Sequence, residues 1–218
     1  MTKYGIDVSR HNGDIDWGKV KASGKVEFAI IRAGYGKLIS QKDEKFERNY
    51  AGCKAQNIPC GAYWYSYAKS VDEAKLEANI FLQAIKGKKF EYPIYLDLED
   101  ASQFALGKAK VSEMAKAFMD ILEKAGYYVG LYSSKSHLET YFNEDILKRY
   151  TIWVAHYGVR ETNYRYPYTV WQYSESGAVP GISTKVDMNL CYAVDFPEAM
   201  TKLGLNGFEK TAPVETNT

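Results

Sequence analysis

A closed α/β barrel is the fold that this sequence predicts, and three observations predict it. Apolar, β-rich runs alternate with amphipathic helical segments from residue 3 to residue 149. The helical spacing then stops, and three strand-like runs follow at short intervals, at 151–157, 168–174 and 185–192. The total is about eight strands, the number that closes a compact barrel, and parallel strands joined by helices need cover on both faces. The expected architecture is therefore α/β, a modified TIM-like barrel of about five βα units followed by three strands with few or no helices.

The first unit pairs "KYGIDVS" (3–9) with "DWGKVKASG", a short helix ending at Gly24, and leads to the strand "EFAIIRAG" (27–34). Asp14 and Asp16 are placed to cap that helix. In "DEKFERNYAGCKAQN" (43–57), Phe46, Tyr50 and Cys53 recur at helical spacing, and the strand "CGAYWYSYA" (60–68) follows. "SVDEAKLEANIFLQAI" (70–85) opens with a capping pattern, Ser70 with Glu73 three residues on, and sets Ala74, Leu76, Ile80, Phe81 and Ile85 near one side. "YPIYLDLE" (92–99) reads as a strand, and Asp43 and Asp100 as caps or solvated acids. "VSEMAKAFMDILEKAG" (111–126) is an amphipathic helix closed by Gly126, followed by the strand "YYVGLYSS" (127–134) and a helical piece over roughly 136–149. The last dozen residues lose periodicity and gain Thr, Pro and Glu, a linker composition. We expect a catalytic domain over 1–206 and a linker-like or frayed tail over 207–218.

Composition narrows the function. Hydrophobic residues at 46% and charged ones at 25% suit a globular chain with a sizeable core. A net charge of +1 implies no broad attraction to nucleic acid or to an anionic membrane, and no 18-residue apolar stretch occurs. Three cysteines without CxxC or zinc spacing read as buried free thiols. Tyrosine is abundant, with 19 residues beside 4 Trp. Such rings fill cores, and they also stack on the apolar faces of sugars while their polar atoms bond hydroxyls.

The carboxylates carry the chemistry. In a parallel barrel, reacting side chains sit where strands end at one face. Asp97 and Glu99 are two residues apart, so both point to the same side of the sheet, roughly 6–7 Å apart along the backbone. Tyr95 shares that side, while Ile94, Leu96 and Leu98 face the helices. Asp7 ends the first strand, and Asp187 lies on the last, its neighbour in a closed barrel. Carboxylates crowded in a partly dry cleft cannot all ionise cheaply, so at least one holds its proton, as cleavage of a glycosidic bond requires. Glu99, longer and nearer the mouth, is the candidate. The bland alternative is a solvated acidic turn. A rival chemistry is magnesium or manganese held by the same acids, but His11, His137 and His156 lack paired spacing, and neither a metal nor another cofactor is expected.

"GIDVSRHNGDIDWGKVKASGKVEFAIIRAGYG", "YPIYLDLE", "GLYSS" and "VWQYSESGAVPGISTKVDMNL", in that order, resemble the glycoside hydrolase family 25 lysozymes. The likeness runs from about Lys3 to Tyr192, nearly the whole folded part. It implies a barrel of five βα units and three further strands, and hydrolysis of the β-1,4 bond from N-acetylmuramic acid to N-acetylglucosamine in bacterial peptidoglycan. By the same resemblance the proton donor falls on Glu99 and the aspartate of its D-x-E pair on Asp97; Asp7 and Asp187 match the opening and closing acids. Two acids on one strand do not flank an anomeric carbon from opposite faces, so Asp97 is better placed to orient a substrate acetamide that itself attacks, with retention. The competing scheme has Asp7 or Asp187 activating water, with inversion.

Tyr65, Tyr132 and Trp171 are expected to contact sugar, with Tyr63, Trp153 and Gln172 beside them. Arg32 and Tyr35 are expected to meet the lactyl group or a neighbouring acid. Two other functions stay open: a catalytically silent wall-glycan-binding module, and a chitinase-like glycosidase, against which the missing DxxDxDxE pattern counts. With no leader-like start and a linker-like end, the chain suits a phage endolysin, held in the host cytoplasm until released to the wall. A bacterial autolysin is the alternative, and a C-terminal wall-binding module beyond the chain is compatible with either.

Overall fold

The computed structural model describes residues 2–193 and 195–210. Eight strands close a barrel in sequence order: β1 (Lys3–Val8), β2 (Phe28–Tyr35), β3 (Cys60–Tyr65), β4 (Ile94–Asp97), β5 (Val129–Ser134), β6 (Thr151–Ala155), β7 (Val170–Gly177) and β8 (Val186–Cys191). Helices α1 (Trp17–Ala22), α2 (Phe46–Ala55), α3 (Val71–Ile85), α4 (Ala101–Phe104), α5 (Lys108–Lys124), α6 (Lys135–Tyr141) and α7 (Glu144–Arg149) cover the first five strands. The architecture is the expected one, five helix-bearing units and three further strands.

Strand direction differs from a fully parallel barrel. β1 to β7 pair in parallel, whereas β8 runs antiparallel to both β7 and β1. The reason is length: the connection 178–185 is too short for a parallel crossover, which takes a dozen residues or more. The longer β6–β7 connection, 156–169, returns the chain to the same end without a helix.

Alternation sets the two faces. Ile6, Ile31, Trp64, Leu96, Leu131 and Val154 point outward into the layer beneath the helices, while Phe28, Tyr63, Tyr95, Tyr132 and Trp153 fill the barrel. Phe81 of α3 packs between Trp64 (5.6 Å) and Phe118 of α5 (6.3 Å), each such ring contributing about 1.5–3 kcal/mol by burial. Inside, large rings are accommodated by small neighbours. A Cβ on Gly5 would fall 2.4 Å from the Phe28 ring, and one on Gly130 2.4 Å from the Tyr95 ring.

Local chemistry sets the helix starts. Ser70 accepts from Glu73 N, and Asp16 and Asp100 cap α1 and α4 through Lys19 N and Ser102 N. Asp14 caps nothing: it pairs with Lys45 and Arg48. The helix expected over 136–149 is broken, because Phe142 and Asn143 turn extended, burying the Phe142 ring while Asn143 N donates to Ser112 Oγ.

The base of the barrel is closed by α8 (Phe196–Leu203), an element the sequence pattern left unassigned; it carries Pro197 in its first turn and ends at Gly204 with φ 66°. Phe196 meets Tyr92 at 5.5 Å, and the buried Asn206 donates to Tyr92 O and accepts from Tyr128 N. Phe208 packs against the same cluster, so ordered contacts continue into the expected tail; its remainder, 211–218, lies outside the described residues.

Candidate active site

At the end of the barrel where β1 to β7 finish, the inward positions change from rings to acids. Asp7 of β1, Asp97 of β4, Glu99 just beyond it and Asp187 of β8 line one cavity of about 380 Å³. Asp187 reaches this rim from the start of its strand, because β8 runs downward, and it stands directly opposite Asp7 in the β1–β8 register. Tyr65 and Tyr132 flank Asp97 as its partners on β3 and β5. Tyr63 and Trp153 form the floor, with Tyr95 packed against Trp153 at 5.2 Å.

One hydrogen-bond chain joins five strands across this floor. Gln172 Nε2 (2.7 Å) and Asn189 Nδ2 (2.8 Å) both donate to Asp7 Oδ2. Gln172 Oε1 accepts from Tyr132 OH at 2.7 Å and from Tyr157 OH. Asn189 Oδ1 accepts from Trp153 Nε1 at 2.8 Å. Asp7 is thereby held in place from two sides. Asp97 is not: its Oδ1 is buried and has no partner.

Crowding raises the proton affinity of all four acids. Burial lifts Asp7 well above the usual carboxylate range, and Asp187 adds to it, against the hydrogen bonds from Asn189 and Gln172. Burial and the neighbouring Glu99 and Asp7 lift Asp97 likewise, against the Arg32 guanidinium. Glu99 is raised by burial, Asp187 and Asp100, and Asp187 mainly by burial. The proton expected on Glu99 is therefore contested by several carboxyls.

Arg32 lines the cavity, but its charge is engaged. Its Nε donates to Asp43 Oδ2 at 2.7 Å, while Nη2 is buried without a partner. Asp43 also accepts from Arg10 N and Lys45 N, so it is a buried counter-ion and neither a solvated acid nor a helix cap of ordinary kind. Tyr35 lies outside the cavity lining, beneath the guanidinium groups of Arg10 and Arg32. Trp171 also stays out. It precedes the inward Gln172, so alternation turns it into the outer layer, where Nε1 donates to His156 O at 2.9 Å. Period-two geometry excludes one member of that adjacent pair from the sequence alone.

Sequence reasoning passed over Ser9, His11, Asn12 and Lys185, which complete the lining, and Asn189, which with Tyr157 fixes the floor. Asn189 carried a signal, being two residues from Asp187 and so on its face. A second hollow of about 400 Å³ shares Glu99 and Tyr132 with the cavity and continues over Lys135, His156 and Tyr157. The hollow of about 450 Å³ against α8 is larger, but it lies at the base, away from the four acids. Among the described residues, no group of three or more His, Cys, Asp or Glu is arranged to hold a metal ion.

A barrel mouth with paired carboxyls and aromatic walls suits the cleavage of a glycosidic bond. Residues 6–182 match the family described as glycosyl hydrolases family 25, and the chain belongs to that family, as a hydrolase of lysozyme type. It is 33% identical over 202 residues to the YegX protein of Escherichia coli (strain K12), covering 87% of this chain and 69% of that one. It is 30% identical to the autolytic lysozyme of Clostridium acetobutylicum, covering 85% of this chain and 54% of that protein. The structure of the modular autolysin LytC from Streptococcus pneumoniae, in complex with a synthetic peptidoglycan ligand, superposes with a TM-score of 0.77 at 32% identity, covering 88% of this chain. The chain spans about half the length of that autolysin, 47%.

Proposed function

We propose that this chain is a muramidase that cleaves the β-1,4 bond between N-acetylmuramic acid and N-acetylglucosamine in bacterial peptidoglycan, with Glu99 as general acid. Glu99 gives its proton to the leaving glycosidic oxygen as the bond to the anomeric carbon breaks. The acetamide carbonyl oxygen of the same sugar closes onto that carbon, and Asp97, in the cavity lining, orients the acetamide through its N–H. Water then opens the cyclic intermediate, losing its proton to the Glu99 carboxylate, and the anomeric configuration is retained.

The observation that carries this reading is the unpartnered, buried Asp97 Oδ1 beside Glu99. Two donors already hold Asp7, which favours assistance over a scheme in which Asp7 swings to activate water. Tyr65, Tyr132, Tyr63, Trp153, Gln172 and Arg32 are assigned to the sugar and its lactyl substituent. Residues 1–206 are assigned to catalysis, and attachment to the wall to any module beyond them.

Reducing ends released from purified peptidoglycan test the activity, and NMR of the first-formed anomer tests the stereochemistry. A β-anomer appearing first supports assistance by the acetamide. An α-anomer appearing first transfers the role of base to Asp7 or Asp187. Saturable wall binding without new reducing ends would reduce the protein to a glycan-binding module.

A further inference from the structure

Behind the mouth, on the helix side of β3 and β4, lies a second group of buried polar side chains that the chemistry above leaves unused. Glu77 of α3, Gln103 of α4 and Ser66, just past β3, are all buried. Gln103 Nε2 donates to Ser66 Oγ (3.1 Å) and to Ala68 O (2.9 Å). Glu77 Oε1 accepts from Tyr67 N at 2.9 Å. Ser66 N donates to Asp97 O at 2.9 Å.

These bonds tie together two connections at the rim. One follows β3 and carries Ser66, Tyr67 and Ala68. The other, 98–100, runs from β4 to α4 and carries Glu99. On one side of Glu99, Ser66 N fixes the Asp97 carbonyl; on the other, Ser66 and Ala68 fix the Gln103 side chain. Ser133 Oγ holds the Leu98 carbonyl between them at 2.7 Å. Glu77 Oε2 and Gln103 Oε1 are both buried and unpartnered, a cost that packing alone does not repay. A core selected for packing alone has no use for them.

We infer that Glu77 and Gln103 are positioning residues for the general acid, locking through Tyr67 and Ser66 the two connections that set where the Glu99 carboxyl stands. The inference rests on the reading of Glu99 as the acid. Glu77 is pushed up to about 7, first by burial, against the nearby Ser66 side chain and the bond from Tyr67 N. The charged groups bearing on it are Lys37, from the connection after β2, and Glu73, one turn earlier on α3; these two pair with each other at 2.7 Å. Ionising Glu77 puts a charge into a buried site where its Oε2 has no partner.

The test compares Gln103→Leu, Glu77→Gln and Glu99→Gln on soluble peptidoglycan fragments across pH 5–9, with thermal melts alongside. Gln103→Leu is expected to lower kcat by about 10- to 100-fold at nearly constant KM, the loss of a misplaced catalytic group, and to move the alkaline limb of its pH profile. Glu77→Gln, which cannot ionise, is expected to keep its kcat to higher pH than the wild type. Wild-type kcat and an unmoved limb in Gln103→Leu overturn the inference. If that variant does not fold, a Glu77→Gln profile that overlays the wild type does so. An active Glu99→Gln instead overturns the reading of the acid itself, and the two failures are thereby told apart.

Discussion

The two ends of the barrel interior obey the same alternation and arrive at opposite states. At the base, Phe28 stacks on Tyr92 at 4.5 Å and Phe196 closes beneath them, ring against ring. At the mouth, the same inward positions on β1, β4 and β8 carry Asp7, Asp97 and Asp187, with Glu99 above them. The base is packed as a stable fold requires. The mouth holds charges in each other's way, with Asp97 Oδ1 and Arg32 Nη2 left bare. Stability thus resides at one end and reactivity at the other, and the rigidity of the first is what holds the second in an unfavourable arrangement.

The largest effect that would sharpen this contrast is expected from Glu99→Gln. Hydrolysis should fall by about 10²- to 10⁴-fold with little change in melting temperature. Because burial raises Glu99 above the ordinary carboxylate range, wild-type activity should persist past that range and decline as pH climbs through the value of the folded state. A variant that melts early would show that the mouth also supports the fold.

Phe28→Ala should do the reverse, costing about 3–5 kcal/mol in urea unfolding while the folded fraction keeps its turnover per molecule. A smaller loss, about 1–3 kcal/mol, is expected for Gly130→Ala, whose methyl group would press on the Tyr95 ring. Equal losses of turnover in these two variants would erase the division between the ends.

Asp97→Asn should be smaller still than these losses and opposite in sign, a gain of about 0.5–2 kcal/mol at neutral pH together with lost activity. The folded protein holds the Asp97 proton more tightly than the unfolded chain does. The contribution of that carboxyl is therefore complete below the unfolded value and is lost as pH rises through the folded one. The gain should vanish in acid, where Asp97 is neutral in both states; calorimetry at pH 3 and pH 7 checks it.

Much of the fold was legible because period-two and period-3.6 patterns mark a strand or a helix wherever one face is buried. The inward set of Tyr95, Asp97 and Glu99 followed from parity alone. Other features were closed to that reading. The direction of β8 depends on the length of the connection 178–185, and Asp187 reaches the rim only because that strand descends. Asp43 looked like a cap because its partner Arg32 is joined to it by folding, eleven positions away. The break at Phe142 comes from a ring that gains more by leaving the helix than by continuing it. Gln172 and Asn189 carry no charge, and nothing in their local pattern reveals that both converge on one oxygen of Asp7.

The downward course of β8 also decides which way the chain leaves. Lys3 and Cys191 are register partners, so the polypeptide enters and exits the barrel at its closed end. Had the eighth strand run upward, the exit would open beside the carboxylates, and whatever came next would stand in the path of an incoming glycan. As built, the chain enters and leaves the barrel on the far side from the carboxylates, and a polymer much larger than the enzyme meets neither crossing point as it approaches the mouth.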